Sequence, residues 1–564
     1  MAGIAGLQRE HAARVQPRRK DRGTIMNLVL KSTCIYDSVG DKPFAGYIEI
    51  EDNKIKEVTK GETDKYNDPA KYDLRDCGDR TITAGLIDSH IHLFLGSLHN
   101  ATIDLYNTAT EEEAAKNLYE FYKDRDDEWV LGFRWSHYRW PDEKLPTKAS
   151  LDKYFPDRPV VAFNDELHAI WVNSKTLEVC GITKDTVDPD GGIIERDENG
   201  EPTGVLRENA RDLVTHIMPE TSTEETAREL RELGDLLSSQ GIVAVTDMGA
   251  LDDTDNFPII ERAAELGLCQ EVGVYYMWDH WMDKKDFDIT PELMDRTRQV
   301  FVCGLKLIGD GSISGQTAWM DEPYLKADGT PRTDDAACGL PVCSDEQTRT
   351  AIEFCKTHGC QLSLHAMGNR AIERMLDFVE DEVPWTDGEA PYLRFEHVTL
   401  PSEQSVKRVV AKGIGIASQP IFPYAEIEAY LGNLGHERTR RCYPYRTLLD
   451  DGVNLCFSTD APATSWAVPS DPFPCIKGAV TRHAYEDTDF GEDEAVDVET
   501  AITLYTREAA RMAGFEGLGM LKPGMKASFA VLDRDIFSIP ADEIDRVQVL
   551  ATYVRGTCVY QREA

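Results

Sequence analysis

The sequence predicts an α/β protein built around a (β/α)8 TIM barrel, with a small β-sandwich domain assembled from both termini and an insertion after barrel strand 1. Three observations lead to this fold class. Short apolar runs alternate with helical stretches through the middle of the chain, β-rich segments stand at both ends, and a pair of histidines closes the first apolar run of the middle region.

The alternating middle region predicts the barrel. Strand and helix in alternation imply parallel βα units, and about eight units are what a closed barrel needs. The predicted strands are the run before His90 and residues 242–246, 271–276, 301–307, 361–364, 393–395, 414–417 and 453–457. The helical stretches between them include residues 224–239, 258–266, 345–358, 370–379 and 401–412.

The flanking regions suggest the remaining organisation. Residues 26–84 and 515–564 carry short β-like runs broken by turns and are expected to form the sandwich domain, which leaves 85–514 for the barrel domain. The repeat breaks at about 100–220, where four tryptophans lie, so we expect an inserted subdomain there. Residues 1–25 are basic and Ala-rich, which predicts a disordered or over-called tail, with a targeting peptide as the weaker alternative.

Composition excludes several classes of partner. Lys+Arg 61 against Asp+Glu 100 gives a net charge of −39, which repels nucleic acid and anionic membrane surfaces. The 13 cysteines are widely spaced and lack a CxxC pair, as in a reducing compartment. With no apolar run long enough for a membrane span, the sequence predicts a cytoplasmic protein. A homodimer is compatible with such a barrel, but no exposed apolar helix identifies an interface.

His90 and His92 end the first barrel strand. Side chains at i and i+2 of a strand project to the same side, so the two imidazoles form a potential metal-ligand pair. Taken alone, the pair is equally compatible with surface or core histidines.

Other chemistry-bearing residues follow later predicted strands. The C-terminal ends of parallel barrel strands open on one face, so these side chains can converge with the histidine pair into a two-metal constellation. Each has an individual alternative: His365 as a helix cap, Lys306 as an ion-pair partner of Asp310, and Asp460 as an N-cap. The residues concerned are Lys306, His365, His397 and Asp460.

At these residues the sequence resembles the amidohydrolase superfamily, and specifically the family 3 group related to N-substituted formamide deformylases. The resemblance runs from about Met26 to the C-terminus. Its motifs are Gly-Leu-Ile-Asp-Ser-His-Ile-His from Gly85, Gly-Leu-Lys-Leu-Ile-Gly-Asp-Gly-Ser from Gly304, His-Ala-Met-Gly-Asn-Arg from His365, Glu396-His397 and Ser458-Thr-Asp460.

The resemblance implies a ligand set. His90 and His92 would hold the more buried metal with Asp460, whereas His365 and His397 would hold the second. Lys306 matches a position that often carries a CO2-derived carbamate bridging two metals. One or two divalent ions are therefore expected, with zinc as the expected metal.

The expected reaction is hydrolysis of a non-peptide carbon–nitrogen bond, in an amide or formamide of a small molecule. A metal-activated hydroxide would attack the carbonyl carbon. Asp460 would take the proton and deliver it to the leaving nitrogen, with Lys306 and His365 completing the catalytic set. A cyclic amidase, deaminase or isomerase on the same scaffold is the alternative, and a non-catalytic metal-binding protein is less favoured.

Substrate contacts are expected from the inserted segment. The alternatives are that Arg207 and Glu208 pair with each other on a turn and that the tryptophans pack the core of the insertion. Two departures from the group stand out: Asn369 replaces an Asp, and Glu166-Leu167 replaces Asp-Gly. The candidate substrate-binding residues are Trp140, His168, Arg207 and Glu208.

Overall fold

The computed structural model describes residues 26–137, 140–141, 144–164, 169–189, 192–219, 222–250 and 254–562. The predicted tail at 1–25 lies outside them. The chain forms two compact units: one combines the described residues up to Phe94 with those from Leu233 onward, and the other is Leu95–Glu232.

Twenty-two strands lie in the described part of the chain. In chain order they are β1 (Asn27–Tyr36), β2 (Phe44–Glu51), β3 (Lys54–Lys60), β4 (Tyr72–Asp76), β5 (Thr81–Ala84), β6 (Leu86–Ile91), β7 (Ile103–Asp104), β8 (Val130–Trp135), β9 (Val160–Asn164), β10 (Ala169–Val172), β11 (Gly192–Arg196), β12 (Pro202–Glu208), β13 (Ile242–Asp247), β14 (Glu271–Met277), β15 (Val300–Ile308), β16 (Gln361–Ala366), β17 (Leu393–His397), β18 (Gly415–Ser418), β19 (Asn454–Phe457), β20 (Phe529–Leu532), β21 (Val549–Val554) and β22 (Thr557–Gln561).

Seventeen α-helices accompany these strands in the described residues. They are α1 (Leu93–Ala101), α2 (Glu111–Tyr122), α3 (Lys148–Asp152), α4 (Ser174–Val179), α5 (Asp212–Thr215), α6 (Thr223–Ser239), α7 (Asn256–Leu266), α8 (Trp278–Trp281), α9 (Asp345–His358), α10 (Asn369–Phe378), α11 (Glu403–Lys412), α12 (Ile421–Ala425), α13 (Ile427–Arg440), α14 (Tyr445–Asp450), α15 (Pro472–Thr481), α16 (Val498–Leu504) and α17 (Arg507–Ala513).

Eight parallel strands make the barrel, in the order β19-β18-β17-β16-β15-β14-β13-β6. Almost every residue of these strands is buried, as expected when helices cover one face and the barrel interior the other. Local sequence sets the helix limits. For example, the Ser344 side chain accepts from the backbone N–H of Gln347 at the start of α9, and Gly359 ends that helix with a left-handed φ of 67°.

The barrel closes just beyond the last strand. The backbone N–H of Asp460 donates to the His90 carbonyl at 2.9 Å, and the N–H of His92 donates to the Ala461 carbonyl at 2.9 Å. These two hydrogen bonds join the first strand to the segment that follows β19. The seam of the barrel therefore lies at the histidine pair.

Both ends of the chain contribute to a second sheet. Its order is β22-β21-β20-β5-β1-β2-β3, with β4 added beside β1. Its apolar side chains, including Ile35, Ile48, Phe529 and Val531, form one core. The predicted terminal β-domain is thus a single eight-stranded sheet.

The second unit contains a six-stranded sheet, β11-β12-β10-β9-β8-β7, and its own apolar core. Trp135, Trp140 and Trp171 pack together in that core, with ring centroids 6.1–6.3 Å apart. Trp135 and Trp171 donate to backbone carbonyls at 2.8 Å. These three tryptophans therefore pack the core of the insertion, which was the alternative to a role in substrate binding.

The fold class is confirmed: a parallel barrel, a sheet domain from both termini and an insertion after the first barrel strand. All 13 cysteines lie in the described part and are free thiols. Among the described residues, no helix combines the length and apolar character that crossing a membrane requires.

We expect Gly304→Ala to destabilise the barrel by about 3 kcal/mol. Gly304, in β15, has φ 156°, and a Cβ there would lie 1.7 Å from the Gln361 carbonyl oxygen of β16. Because that neighbour is backbone, no rotamer change relieves the contact. Urea unfolding measures the loss.

Gly432→Ala is the matched control for this substitution. Gly432 lies in α13 with nothing within 4 Å of the added methyl group. Alanine is the better helix former, so stability should rise by roughly 0.5 kcal/mol or more. Equal unfolding midpoints for the two variants would contradict the close approach of β15 and β16.

Candidate metal centre

Three buried side chains at the C-terminal end of the barrel could hold a metal ion together. His90 lies in β6, His397 is the last residue of β17, and Asp460 follows β19. Each offers one ligand atom, and these atoms lie within 4.8 Å of one another. Two imidazoles and a carboxylate are suitable ligands for zinc and similar ions.

Asp460 provides the strongest sign of a cation site. Its Oδ1 atom lies 3.3 Å from Nε2 of His90 and 3.4 Å from Nε2 of His92. Oδ1 is buried, and no described residue gives it a hydrogen bond. An unsatisfied buried carboxylate oxygen is costly, and a cation shared with the two imidazoles would satisfy it. The residues therefore fit a bound metal.

His365 stands beside His397, with ring centroids 4.3 Å apart. Its Nε2 atom donates to the Gly311 carbonyl at 3.0 Å, which leaves Nδ1 as the free lone pair. Burial, with the nearby charge of Lys306, lowers the pKa of His365 to about 4. The ring is therefore neutral at neutral pH, as a metal ligand must be.

The Gln419 side chain fixes the tautomer of His397. Its Oε1 atom lies 2.7 Å from His397 Nδ1, while its Nε2 atom donates to Ser458 Oγ at 2.9 Å. Since Oε1 only accepts, Nδ1 of His397 carries the proton and Nε2 is left free. Burial and the neighbouring His365 hold the pKa of His397 well below its ordinary value.

Glu396 accepts a hydrogen bond from the imidazole ring of His90. Its Oε2 atom lies 2.6 Å from Nδ1 of His90, and Arg394 donates to both of its carboxylate oxygens. Although burial alone would raise the pKa of Glu396, the positive charge of Arg394 holds it well below its usual range. His90 Nε2 is thereby left free on the side of Asp460.

Lys306 is 1% exposed and lies in β15. Burial lowers the pKa of its amine to about 8, against the opposing charges of Glu396 and Asp460. Its Nζ atom approaches the Met248 sulfur at 3.9 Å. A thioether is a weak acceptor, so within the described part of the chain this ammonium group lacks the strong partner that a buried charge requires.

Two of the candidate ligands have unusual backbone conformations. His397 has φ 75° and Asp460 has φ 59°, both in the left-handed region that few non-glycine residues adopt. Such strain costs about 1–3 kcal/mol at each residue and is concentrated at functional sites. At His397 it also turns the ring toward the cluster, although strict strand alternation would place Glu396 and His397 on opposite sides.

Asp88 holds the first and last strands of the barrel together. Its carboxylate accepts from the Thr459 backbone N–H at 3.1 Å, from the Thr459 hydroxyl, and from the His90 N–H at 3.3 Å. Of these two partners, His90 is itself a candidate ligand and Thr459 directly precedes Asp460. Asp88 therefore positions His90 and Asp460 together.

The structure brings all six predicted metal-site residues to one end of the barrel. Sequence reasoning missed Glu396 as a partner, together with Arg394 and Gln419. The charged pair carried a signal, because Arg394 and Glu396 alternate with Leu393 and Phe395 along the strand. Gln419 had no comparable pattern in the sequence.

Residues 73–560 match the amidohydrolase family. The chain belongs to this family. It is therefore a hydrolase of the amidohydrolase type, and His90, His397 and Asp460 are its candidate metal site.

Related proteins cover most of its length. The Bacillus subtilis (strain 168) protein YtcJ, which carries an amidohydrolase name, is 27% identical over 93% of this chain and 97% of its own. The N-substituted formamide deformylase of Arthrobacter pascens is 26% identical over 87% of this chain and 90% of its own. The crystal structure of an uncharacterized metal-dependent hydrolase from Pyrococcus furiosus has a TM-score of 0.72 and 24% identity, covering 91% of this chain and all of that one.

The predicted substrate residues belong to the second unit. Trp140 is 2% exposed, and its indole N–H has no hydrogen-bond partner among the described residues. Arg207 lies in β12 and pairs with Glu195 at 3.4 Å. Glu208 ends that strand, and its side chain lies outside the described residues, as does all of His168. The substituted Glu166-Leu167 also lies outside them.

Asn369 forms two hydrogen bonds with Asp321, which explain why an amide stands here. Its Oδ1 atom accepts from the Asp321 N–H at 2.9 Å, and its Nδ2 atom donates to the Asp321 carboxylate at 2.7 Å. An aspartate at 369 would place a second negative charge against Asp321. The asparagine therefore joins the start of α10 to the loop that follows β15.

We expect the metal-free protein to lose stability as the pH falls from about 6.5 to 4. The folded His365 has a pKa of about 4, whereas the ordinary value is 6.5, so the unfolded chain binds a proton that the folded chain does not. The shift corresponds to about 3 kcal/mol. Urea unfolding of the parent and of His365→Asn across this range should show a shallower loss in the variant.

His483→Asn is the control of opposite sign. His483 lies 2.8 Å from Asp487 and 2.7 Å from Glu492, and these carboxylates raise its pKa although burial opposes them. Its removal should lower stability by a constant amount below about pH 6.5 and leave the slope between 6.5 and 4 nearly unchanged, because the stabilisation from a raised pKa is already complete there. Equal slopes in the parent and His365→Asn would contradict the proposed neutral, buried state of His365.

Proposed function

We propose that this protein is a metal-dependent hydrolase that cleaves the carbon–nitrogen bond of a small amide or formamide. The observation that carries the proposal is the unsatisfied, buried Oδ1 of Asp460 beside Nε2 of both His90 and His92. The amide or formamide class is supported by the family and by the name of the Arthrobacter pascens relative.

The free ring nitrogens define how the residues would hold metal. His90 Nε2, His92 Nε2 and Asp460 would bind one ion, and His365 Nδ1 and His397 Nε2 would bind a second. Zinc suits these nitrogen and oxygen ligands. When bound, a divalent zinc ion supplies hydroxide at neutral pH and polarises the substrate carbonyl.

Asp460 would carry the proton. A cation held beside Asp460 would favour its ionised form, which is the form able to accept a proton. In the reaction it would accept a proton from the attacking water and transfer it to the leaving nitrogen. An amine and a carboxylate, or formate, would leave the site.

Lys306 would bear a CO2-derived carbamate that helps to hold the metal ions. The neutral amine reacts with CO2 to give the carbamate and one proton. With a pKa of about 8, roughly a tenth of the amine is neutral at pH 7, far more than for an ordinary lysine. The carbamate would replace an ammonium that lacks a strong acceptor with a group that binds cations.

Trp140, His168, Arg207 and Glu208 are our proposed substrate-binding residues. Among the described residues the indole N–H of Trp140 has no hydrogen-bond partner, so it is able to donate to a ligand. The cytoplasmic location and the homodimer remain predictions.

We expect elemental analysis of protein reconstituted with zinc and bicarbonate to give about two zinc ions per chain. Lys306→Ala should reduce this number because it removes a proposed ligand. Lys526→Ala is the control: Lys526 pairs with Glu271 at 2.8 Å, outside the metal centre, so the zinc content should not change. A parent protein that binds no zinc would refute the metal-dependent function.

We expect Asp460→Asn to lower kcat for formamide or amide substrates by at least about 100-fold, because the amide cannot accept and return the proton. Asparagine tolerates the left-handed φ at this position, so the backbone should be preserved. Formate or carboxylate release and amine release measure the rate. Asp471→Asn, a carboxylate that caps α15, should retain the parent rate within a few-fold.

If the protein opens rings or releases ammonia but does not cleave amides or formamides, the proposed substrate class is refuted. The proposed metal chemistry would not be affected by that result. Full activity in Asp460→Asn would refute its role in proton transfer.

A further inference from the structure

A charged pair lies inside the barrel, beneath the candidate metal centre. Arg394 and Glu396 of β17 are both completely buried. The guanidinium Nε donates to Oε1 at 2.5 Å, and Nη2 donates to Oε2 at 2.9 Å. Burying an ion pair has a large desolvation cost, and apolar residues of similar volume often stabilise a core as well or better. The pair therefore requires an explanation other than stability.

Both oxygens of Glu396 have a further donor. Ser363 Oγ of β16 donates to Oε1 at 2.7 Å, and His90 Nδ1 of β6 donates to Oε2 at 2.6 Å. In the sheet order, β18 and β19 separate β17 from β6. The Glu396–His90 hydrogen bond therefore crosses the barrel interior to reach the first strand.

Arg394 contacts the same strand directly. Its Nη2 atom donates to the carbonyl of Ser89 at 2.7 Å, one residue before His90. The pair thus holds both the backbone and the imidazole of β6. A rotation of the His90 imidazole, or a shift of His90 along the strand direction, would break one of these hydrogen bonds.

The direction of the Glu396–His90 hydrogen bond decides which ring nitrogen of His90 keeps a free lone pair. An ionised carboxylate can only accept, so the imidazole proton must lie on Nδ1 and the lone pair on Nε2. Nε2 is the atom that lies 3.3 Å from Asp460 Oδ1. A proton on Nε2 would block binding of a cation there.

We propose that Arg394 and Glu396 are positioning residues that fix the tautomer and orientation of His90 for metal binding. The inference rests on the proposed function in taking His90 as a ligand. Glu396 contacts the ring and Arg394 holds Glu396. Partners of this kind orient metal-binding histidines, and their loss typically weakens metal affinity by about 10–100-fold.

The test compares Glu396→Gln with a matched control, Glu271→Gln. Glu271 is also a buried carboxylate held by two cations, Lys526 at 2.8 Å and Arg555 at 3.0 Å, but it begins β14 at the other end of the barrel. Metal-free proteins are titrated with Zn²⁺ against a chelating dye. The Kd should rise about 10–100-fold in Glu396→Gln and stay within about twofold in Glu271→Gln. An unchanged Kd in Glu396→Gln would overturn the proposal.

A second measurement reads the tautomer without metal. Nitrogen NMR of protein carrying ¹⁵N-labelled histidine, with the His90 signals identified by their loss in His90→Gln, should show protonated Nδ1 in the parent. Glu396→Gln should shift the ring toward the other tautomer or a mixture. A parent ring protonated on Nε2 would overturn the proposal.

The double variant Arg394→Met/Glu396→Leu separates positioning from structural support. The apolar pair should leave the Tm of the metal-free protein equal or higher, while the Kd for Zn²⁺ rises. A large fall in Tm would show that the pair supports the fold instead. If the parent binds no Zn²⁺, the proposed function fails, and the NMR result still decides whether the pair sets the His90 tautomer.

Discussion

The hydrogen bond from the Asp460 N–H to the His90 carbonyl closes the barrel and also joins two candidate metal ligands. Asp88 reinforces the seam by accepting from Thr459 and from the His90 backbone. The geometry of the centre therefore depends on closure, because neither side of the seam can move without the other. Any cation that binds across it stabilises the closed state over the open one.

The charge of the candidate ligand set depends largely on Lys306. The histidines are neutral when they serve as ligands, so Lys306 and Asp460 are the ligands that carry charge. An ammonium at Lys306 makes their sum zero, whereas a carbamate makes it −2. A sum of −2 balances more positive charge from bound ions than a sum of zero does. Carbamate formation and binding of a second divalent ion would therefore favour each other.

Much of the barrel could be predicted because its strands are continuous apolar runs and its helices carry clear end signals. Residues 345–358 were predicted as a helix and form α9 with those limits, because Ser344 caps one end and Gly359 the other. The helices at Ile421–Ala425 and Ile427–Arg440 were not anticipated. They follow directly after a barrel strand in a stretch where aromatic residues, proline and glycine interrupt the helical pattern.

The site was less accessible to sequence reasoning, for a physical reason. Position at strand ends predicts that His365 and Asp460 converge, but it does not assign hydrogen-bond partners inside the barrel. Glu396 and His90 are 306 residues apart, and their contact follows from barrel closure. The left-handed φ of His397, which brings its ring beside that network, was also not predictable. Glycine and asparagine are the residues that usually indicate such a φ, and neither stands at this position.

The position of the insertion has a consequence for how the protein is made. The first barrel strand is synthesised before the whole of Leu95–Glu232, and its seam contact from Ser89 to the Phe457 carbonyl joins residues 368 positions apart. At about 10 residues per second the ribosome needs roughly half a minute to supply that partner. β13 can pair with one edge of β6 well before then, but the edge that faces the segment after β19 has no partner throughout this interval. The growing chain must therefore shield it, either within a partly collapsed intermediate or on a chaperone, until the last strand emerges.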